Sequence, residues 1–531
     1  MQSRHETPGF FVPGLQTKEK RMGLKTDKVV PGRENRVSAC MAHGGCASGI
    51  GKQDKICLKN NEREFSQAGI CQLLPTLGML LTLPDTAVIV HGAIGCGSAG
   101  FGMNTSIKLH HLLRGNPNAK DSLWFTTNLD ESDVVHGGEK RLEETILAVN
   151  EKYKPASIIV VQTCTPSIIG DDLVGVVEKL RPLIDTPLLY SHCEGFKTKV
   201  WATGYDVAFH AMIHGFIEKD KEGPPPRKAP RKAGERPLVN IINLASMGKP
   251  DELELERLLN AIGIDVVIGP NFADREKVRL MTQADLNVSV CPTHDDYLIE
   301  YLHEEYGIPF VLKDMPIGLE NTRNWLLDIA GNFGLEQETL ALIEREEAQA
   351  RKAVERYLPA LKGIRVFLSA GEFRAVVTGG LFQELGMEIV GLRSYHHDDF
   401  GTEFYARLVE AQEGKDFPID IANFQPFELV NLLKKVKPDL FCGHVSDNAW
   451  AARLGFPCIT IFRIFDYYVG YRGFYEVAKK AARNLKNFNF NKKLSQNVQE
   501  AYRSEWYDKS PFAYIKSDNP EPTVEPESLA A

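Results

Sequence analysis

Short β-branched apolar runs alternate with segments of helical periodicity along most of this chain. Ala87–His91, Ser157–Thr163, Leu188–Ser191, Leu238–Asn243, Val266–Gly269, Leu286–Val290, Arg365–Ser369, Glu388–Leu392, Asp439–Gly443 and Cys458–Phe462 read as strands. Several are continuously apolar rather than alternating, as parallel strands covered on both faces are. Between them Glu139–Lys152, Pro250–Ile262, Asp295–Tyr306 and Leu335–Tyr357 carry apolar residues at helical spacing. Alternation at this density predicts an α/β chain of three doubly wound, Rossmann-like parallel-sheet domains, one βα unit reused.

Breaks in the pattern divide it. Glu218–Pro237 reads EKDKEGPPPRKAPRKAGERP and is nearly free of large apolar residues, so it cannot order itself by burial. A weaker boundary falls near Pro359–Gly363. The expected organisation is an N-terminal arm (1–64), α/β domain I (65–217), a Pro-rich linker (218–237), domain II (238–360), domain III (361–490) and a loose polar tail (491–531). The 531 residues exceed the roughly 250–300 that one core supports. A net charge of −8 gives no reason to expect nucleic acid or a membrane surface. No apolar run approaches the ~20 residues of a membrane helix. The N-terminus, MQSRHETPGFFVPGLQTKEK, lacks the apolar core of a signal peptide, which points to the cytoplasm. Ten cysteines in that reducing compartment are then free for packing, catalysis or metal binding rather than disulfides.

In open α/β sheets ligands sit beyond the carboxyl ends of the strands. Four cysteines fall there: Cys96 shortly after His91, Cys164 after Thr163, Cys193 after Ser191 and Cys291 after Val290. Gly95-Cys96-Gly97-Ser98-Ala99-Gly100 also matches the G-x-G-x-x-G pattern of a dinucleotide loop. A lone match is a weak signal, the loop before Gly95 is long, and Gly95 and Gly97 equally suit a backbone held close to an inorganic cluster. No Walker sequence occurs, since Gly49-Ile50-Gly51-Lys52 is followed by Gln53, so the chain is not expected to hydrolyse ATP itself. A thiolate is the natural ligand of an iron–sulfur cluster. Against that stands the tendency of free cysteine to be a buried packing residue, and no C-x-x-C pair strengthens the signal.

The segments around Cys71, HGAIGCG, FTTNLDESDVVHGGEKRL and QTCTPSIIGDD, with LNVSVCPTHDDYLIEYLHEEYGIPF around Cys291, resemble the α-type chains of nitrogenase component one. They also resemble its cofactor-assembly scaffolds and the nitrogenase-like methylthio-alkane reductases. The likeness runs in order from about residue 65 to about 485. It implies that Cys71, Cys96 and Cys164 share a P-cluster-type iron–sulfur cluster with a homologous β-type chain. It implies that Cys291 anchors the catalytic cofactor cluster and that Arg374, in SAGEFRAVV, faces it. It also implies an oxygen-sensitive α2β2 complex supplied with electrons by an ATP-hydrolysing iron protein.

Departures from nitrogenase gather at one place. The histidine that ligates the far end of the cofactor falls at Phe462 or Arg463, and the lysine beside its organic acid at about Val445. A glutamine becomes about Trp201, a proton-supplying histidine about Tyr205, and a pocket arginine about Asn104. The resemblance then implies an iron-only cofactor cluster without molybdenum, vanadium or homocitrate, and a more apolar pocket. Among the relatives this fits the methylthio-alkane reductases, which release methanethiol from small thioethers, with Tyr205, Arg374 and His396 as candidate catalytic residues. The alternatives are an assembly scaffold carrying a precursor cluster, or a nitrogenase α chain proper. His396 and His397, in RSYHHDDFG, are read either as bordering the pocket or as surface histidines. The tract Cys40, His43, Cys46 and Cys57 reads either as a source of further ligands or as an arm with incidental thiols. Cys193 falls at a non-ligand position, and Cys442 and Cys458 read as core.

Overall fold

A computed structural model describes residues 29–50, 61–67, 70–117, 121–220, 222–232, 234–243, 247–312, 315–487 and 489–516. Three sheets organise them. The first is parallel, in the order Leu123–Thr126, Thr86–His91, Ser157–Gln162, Leu188–His192. The second is parallel, in the order Phe310–Val311, Leu286–Ser289, Leu238–Asn243, Asp265–Pro270. The third has six strands: Ala42–Cys46, Pro418–Ala422, Glu388–Ser394, Arg365–Ala370, Leu440–Gly443 and Cys458–Thr460. Only its edge strand Ala42–Cys46 runs antiparallel. The chain is therefore α/β with several parallel sheets, as the alternation predicts.

The continuous apolar strands are explained by two covered faces. Val88, Val90, Ile159 and Val161 pack with helices Leu73–Leu80 and Thr203–Met212. Their neighbours Ala87, Ile89, Ile158 and Val160 pack with Glu139–Tyr153 and Leu173–Leu180. The first of these cores continues into the second sheet through Ile242 and Val267, and a larger one joins the second and third sheets. None of the helices among the described residues is long and apolar enough to cross a membrane.

Both terminal regions differ from the expected arm and tail. Ala42–Cys46 reads AHGGC, with no apolar pattern, yet it completes the third sheet beside Pro418–Ala422. A Cβ on Gly44 would meet the Phe512 ring at 2.1 Å, so the C-terminal residues lie on this strand. Ile515–Lys516 then pairs with Glu62–Arg63. Residues 517–531 and Cys57 lie outside the described residues. The described residues of the Pro-rich linker form no helix or strand after Glu218 but are held by polar groups of the second sheet's layer. Arg275 Nε donates to Asp220 at 2.6 Å, Arg279 to the Gly223 carbonyl at 3.0 Å and Gln283 to the Pro226 carbonyl at 2.8 Å. Hydrogen bonds supply the order that apolar burial cannot.

Candidate functional site

Cysteines stand at the carboxyl ends of the strands in two settings, three together in one and Cys291 in the other. Cys96 lies in the short helix Ile94–Gly97 after strand Thr86–His91, and Cys164 opens helix Cys164–Ile169 after Ser157–Gln162. Cys71 precedes helix Leu73–Leu80, whose start is tied to the next strand loop by Gln72 Nε2 donating to the Glu194 carbonyl at 2.8 Å. Burial pushes the Cys96 thiol up, and the neighbouring Cys71 and Cys164 add to the effect, so the three sulfurs sense one another. Gly195 makes room between two of them. A Cβ there would lie 2.8 Å from Cys71 Cβ, 3.3 Å from its Sγ and 3.7 Å from Cys164 Sγ. With Cys96 near enough to sense both, the three thiols form a donor set suited to a polynuclear iron–sulfur cluster. Among the described residues, no three His, Cys, Asp or Glu side chains close together as a single metal ion requires.

The glycine pattern around Cys96 is explained mainly by packing. A Cβ on Gly97 would strike Thr126 Cβ at 2.6 Å, and one on Gly100 would press the Trp124 ring at 3.1 Å, while Gly95 faces open space. Two of the three glycines let the helices lie on strand Leu123–Thr126, which weakens the dinucleotide reading. The same segments expose apolar side chains: Ile94, Phe101, Val135, Ile168 and Phe196 are 56%, 74%, 74%, 71% and 56% exposed. Cys193 is not part of this face; it is buried and its thiol donates to Thr76 Oγ1 at 3.3 Å.

The second setting is a cavity of about 260 Å³ where the three sheets meet. Cys291 enters from the second sheet as N-cap of helix Pro292–Tyr306. Pro292 starts the helix without needing a backbone donor, and Asp295 turns back to accept from the N–H groups of Val290 and Cys291 at 2.8 and 2.9 Å. This local clamp fixes the cysteine. The thiol is 3% exposed, and burial pushes it up to about 12 although Arg374 opposes the shift. Arg374, in helix Glu372–Glu384, lines the cavity and lays its guanidinium over the Phe462 ring at 4.7 Å.

The remaining walls are mostly aromatic and apolar. Tyr205 packs on His294 with ring centroids 3.8 Å apart, and burial pushes its hydroxyl up to about 12. Trp201 stands 5.9 Å from Tyr205 and 5.8 Å from His396. Neither ring nitrogen of His396 has a hydrogen-bond partner, and Asp398 at 3.6 Å lies beyond hydrogen-bond reach. Burial, followed by the Arg374 charge, holds His294 and His444 below the usual imidazole range. Leu74, Pro75, Gly78 and Met79 form one wall, so the helix that begins beside Cys71 also borders this cavity. A Cβ on Gly204 would lie 2.1 Å from the Gln72 carbonyl, which lets the Tyr205 helix cross that wall closely.

Beneath the cavity, two arginines fasten the three layers. Fully buried Arg33 donates to Asp206, Asp296 and Asp398, each at 3.0 Å. Arg36 reaches Asp206 at 2.9 Å, Asp296 at 2.8 Å and Glu300 at 3.3 Å. Each partner of Arg33 adjoins a different wall: Asp206 follows Tyr205, Asp296 lies on the Cys291 helix, and Asp398 is two residues after His396. Burial alone would raise the Asp398 carboxyl, but Arg33 and His396 outweigh it and hold it well below the usual range.

The sequence-derived residues thus divide. The structure brings Cys291, Arg374, Tyr205, Trp201 and His396 around one cavity. It takes Asn104 away: its side chain accepts from the Ser122 N–H at 2.8 Å, and Met103 lines the cavity instead. His397 is buried but turned to Glu372. Cys40 and His43 are buried at and beside the edge strand, where the Cys40 N–H donates to the His397 carbonyl at 2.8 Å, and neither lines the cavity. Cys442 is buried in the core, its sulfur 3.9 Å from Tyr468 Oη, and Cys458 is half-buried. Sequence reasoning missed His294, His444 and the arginine pair. His444 immediately follows strand Leu440–Gly443, so the rule that singled out the cysteines would have found it.

Residues 71–486 match the family Nitrogenase component 1 type Oxidoreductase. The nitrogenase iron-molybdenum cofactor biosynthesis protein NifE of Methanococcus maripaludis is 27% identical over 468 residues, spanning 86% of this chain and 90% of that protein. The nitrogenase molybdenum-iron protein alpha chain of Methanosarcina barkeri is 26% identical over 455 residues, spanning 76% and 82%. A solved structure titled Nitrogenase Cp1 at pH 5 superposes with a TM-score of 0.66 at 22% identity, covering 83% of this chain and 92% of that one. The match over most of the chain, on a frame of several parallel sheets with cysteines at their carboxyl ends, establishes that this chain belongs to the nitrogenase component 1 type oxidoreductase family.

Proposed function

We propose that the chain is the α-type, cluster-bearing subunit of a nitrogenase-like reductase that cleaves the carbon–sulfur bond of small methylthio-alkanes. The family's iron–sulfur clusters, its β-type partner and its iron protein provide the frame. Cys71, Cys96 and Cys164 would hold a P-cluster-type cluster shared with the β-type chain across the exposed apolar face. Cys291 would anchor an iron-only cofactor cluster, whose chemistry is the accumulation of electrons at low potential. The balance is R–S–CH3 + 2 e⁻ + 2 H⁺ → R–H + CH3–SH, with electrons from the iron protein at the expense of ATP. Tyr205, whose buried hydroxyl keeps its proton, and His396, whose ring nitrogens are unengaged, are the chain's own hydrogen-bonding groups toward a substrate. Arg374 supplies positive charge to that wall.

The observation that carries this reading is the cavity itself: largely aromatic and aliphatic walls, with Arg374 and three histidines among them, suit a small organic molecule beside a buried thiol. A second reading, an assembly subunit that carries a precursor cluster, is favoured by the 27% identity to a cofactor biosynthesis protein. Metal analysis of the anaerobically purified complex, with a headspace assay for methanethiol given iron protein, ATP and a thioether, separates the two. Iron without molybdenum or vanadium, with methanethiol released, is the expected result. Iron without turnover would leave the assembly subunit. Stoichiometric molybdenum or vanadium would mean that Phe462 does not mark the loss of the capping metal.

A further inference from the structure

The cavity has a second residue placed as Cys291 is. Cys291 follows strand Leu286–Ser289 of the second sheet and caps a helix. His444 follows strand Leu440–Gly443 of the third sheet and occupies the N-cap of helix Val445–Arg453. Its backbone is fixed: the His444 N–H donates to the Ser369 carbonyl at 3.0 Å, and its carbonyl accepts from Asp447 and Asn448 at 3.1 and 2.9 Å. Two rigid helix starts from two sheets therefore bring a thiol and an imidazole to one cavity, and Arg374 is close enough to act on both.

We infer that His444 is a second protein ligand, through Nε2, of the iron–sulfur cluster anchored by Cys291. The inference rests on the reading that such a cluster occupies this cavity. Nδ1 of His444 lies 3.3 Å from Ser446 Oγ, and among the described residues no hydrogen bond to Nε2 is found. Metal-bound histidines are oriented in this way, with the other ring nitrogen held by a neighbour. The other histidines fit less well. His294 is three residues from Cys291 on the same helix and is covered by Tyr205. His396 also lines the cavity but is 1% exposed and packed edge-on against Trp201, whereas His444 lines it and is exposed. Of Phe462 and Arg463, where the family's histidine falls, Phe462 carries no donor atom and is covered by the Arg374 guanidinium, and Arg463 is a cation 60% exposed.

Pulsed electron paramagnetic resonance on the anaerobically purified complex, natural and with 15N-labelled histidine, reads the ligand directly. The native complex should show the coupling of one directly bound imidazole nitrogen. His444→Ala should abolish it and make the cavity iron removable by a chelator roughly tenfold faster. His396→Ala should leave it in place. His444→Cys, which restores a ligand, should hold its iron as the native complex does while losing the coupling. A coupling that survives His444→Ala, or its absence from a native complex whose iron depends on Cys291, would overturn the inference. If Cys291→Ala costs no iron at all, the cluster reading fails, and this inference falls with it.

Discussion

Cys291 and Cys164 occupy equivalent places, each at the start of a helix that follows a parallel strand, yet their surroundings differ in kind. Cys291 is enclosed by walls from all three sheets, and its thiol is pushed up to about 12. A thiol in that setting becomes a thiolate only when a metal takes its proton's place. Cys164 is partly open, and the turn it begins ends on Ile168, which is 71% exposed. One site is completed within the chain and the other stops halfway, among apolar side chains that a solitary protein would bury. On the proposed function, enclosure would separate the place where chemistry is done from the place where electrons are handed across. The helix Leu73–Leu80, with Cys71 at its head and Leu74, Pro75, Gly78 and Met79 on the cavity, spans the two.

If enclosure depends on three layers, the heaviest blow to it lies outside the cavity. Arg33→Ala leaves Asp206 and Asp296 buried with Arg36 as their remaining strong cation, and Asp398 buried without its arginine partner. Breaking a buried ion pair from one side costs about 3–5 kcal/mol, measurable by denaturant unfolding. The comparison sharpens the expectation: Cys291 should become open to alkylation, while the rates at Cys71 and Cys164, held by the first sheet, stay as they were. A cost under about 1 kcal/mol, or a still-protected Cys291, would show that the apolar cores alone hold the walls together.

A smaller effect is set by pH. Buried Asp251 accepts from the Tyr468 and Val469 N–H groups at 2.6 and 3.1 Å, anchoring the segment after Phe462. Burial pushes its carboxyl up to about 7, against the pull of those hydrogen bonds. A carboxyl whose folded pKa lies above its unfolded value of about 3.9 holds its proton more tightly in the folded chain. Its contribution is therefore favourable below that value and fades as pH rises through about 7. Asp251→Asn keeps an acceptor oxygen and removes the titration. Its stability should lose less than the native chain's between pH ~4 and ~7, by roughly 2–4 kcal/mol. Parallel stability curves for the two proteins would refute this.

The cysteines of both sites were legible from sequence, for physical reasons. Strands buried on both faces announce themselves, and the residues just beyond them are few, so Cys164 and Cys291 could be picked out. Arg374, Tyr205 and Phe462 followed only from family likeness, since nothing in their local pattern marks them. What stayed hidden was non-local. Arg33 lies in a stretch without periodicity and finds partners 173, 263 and 365 residues away. Strand Pro418–Ala422 escaped notice because it starts with proline and carries the buried Asp420, which a short apolar pattern does not admit. Strand Ala42–Cys46, with two glycines and a histidine, has no pattern of its own and exists because that neighbour offers an edge. The open face was legible only as cysteines, since exposure of Phe101 or Ile168 cannot be read from one sequence.

The other half of the comparison is tested with almost no effect on the chain itself. Phe101 is 74% exposed in the first turn of helix Ala99–Leu113, on the side of Cys96. An acidic residue near a helix start is tolerated or mildly favourable, so Phe101→Asp should change the stability of the chain by no more than about 0.5 kcal/mol. Phe490 is equally exposed, at 74%, but lies on helix Asn489–Gln496, far along the chain from the cysteines. Phe490→Asp is therefore the matched control. If the apolar face is where the β-type chain completes the cluster, Phe101→Asp should lower co-purification of that chain and the iron bound at Cys71, Cys96 and Cys164, and Phe490→Asp should do neither. Equal behaviour of the two variants would mean that exposure beside the cysteines is ordinary surface, and that the open site is completed in some other way.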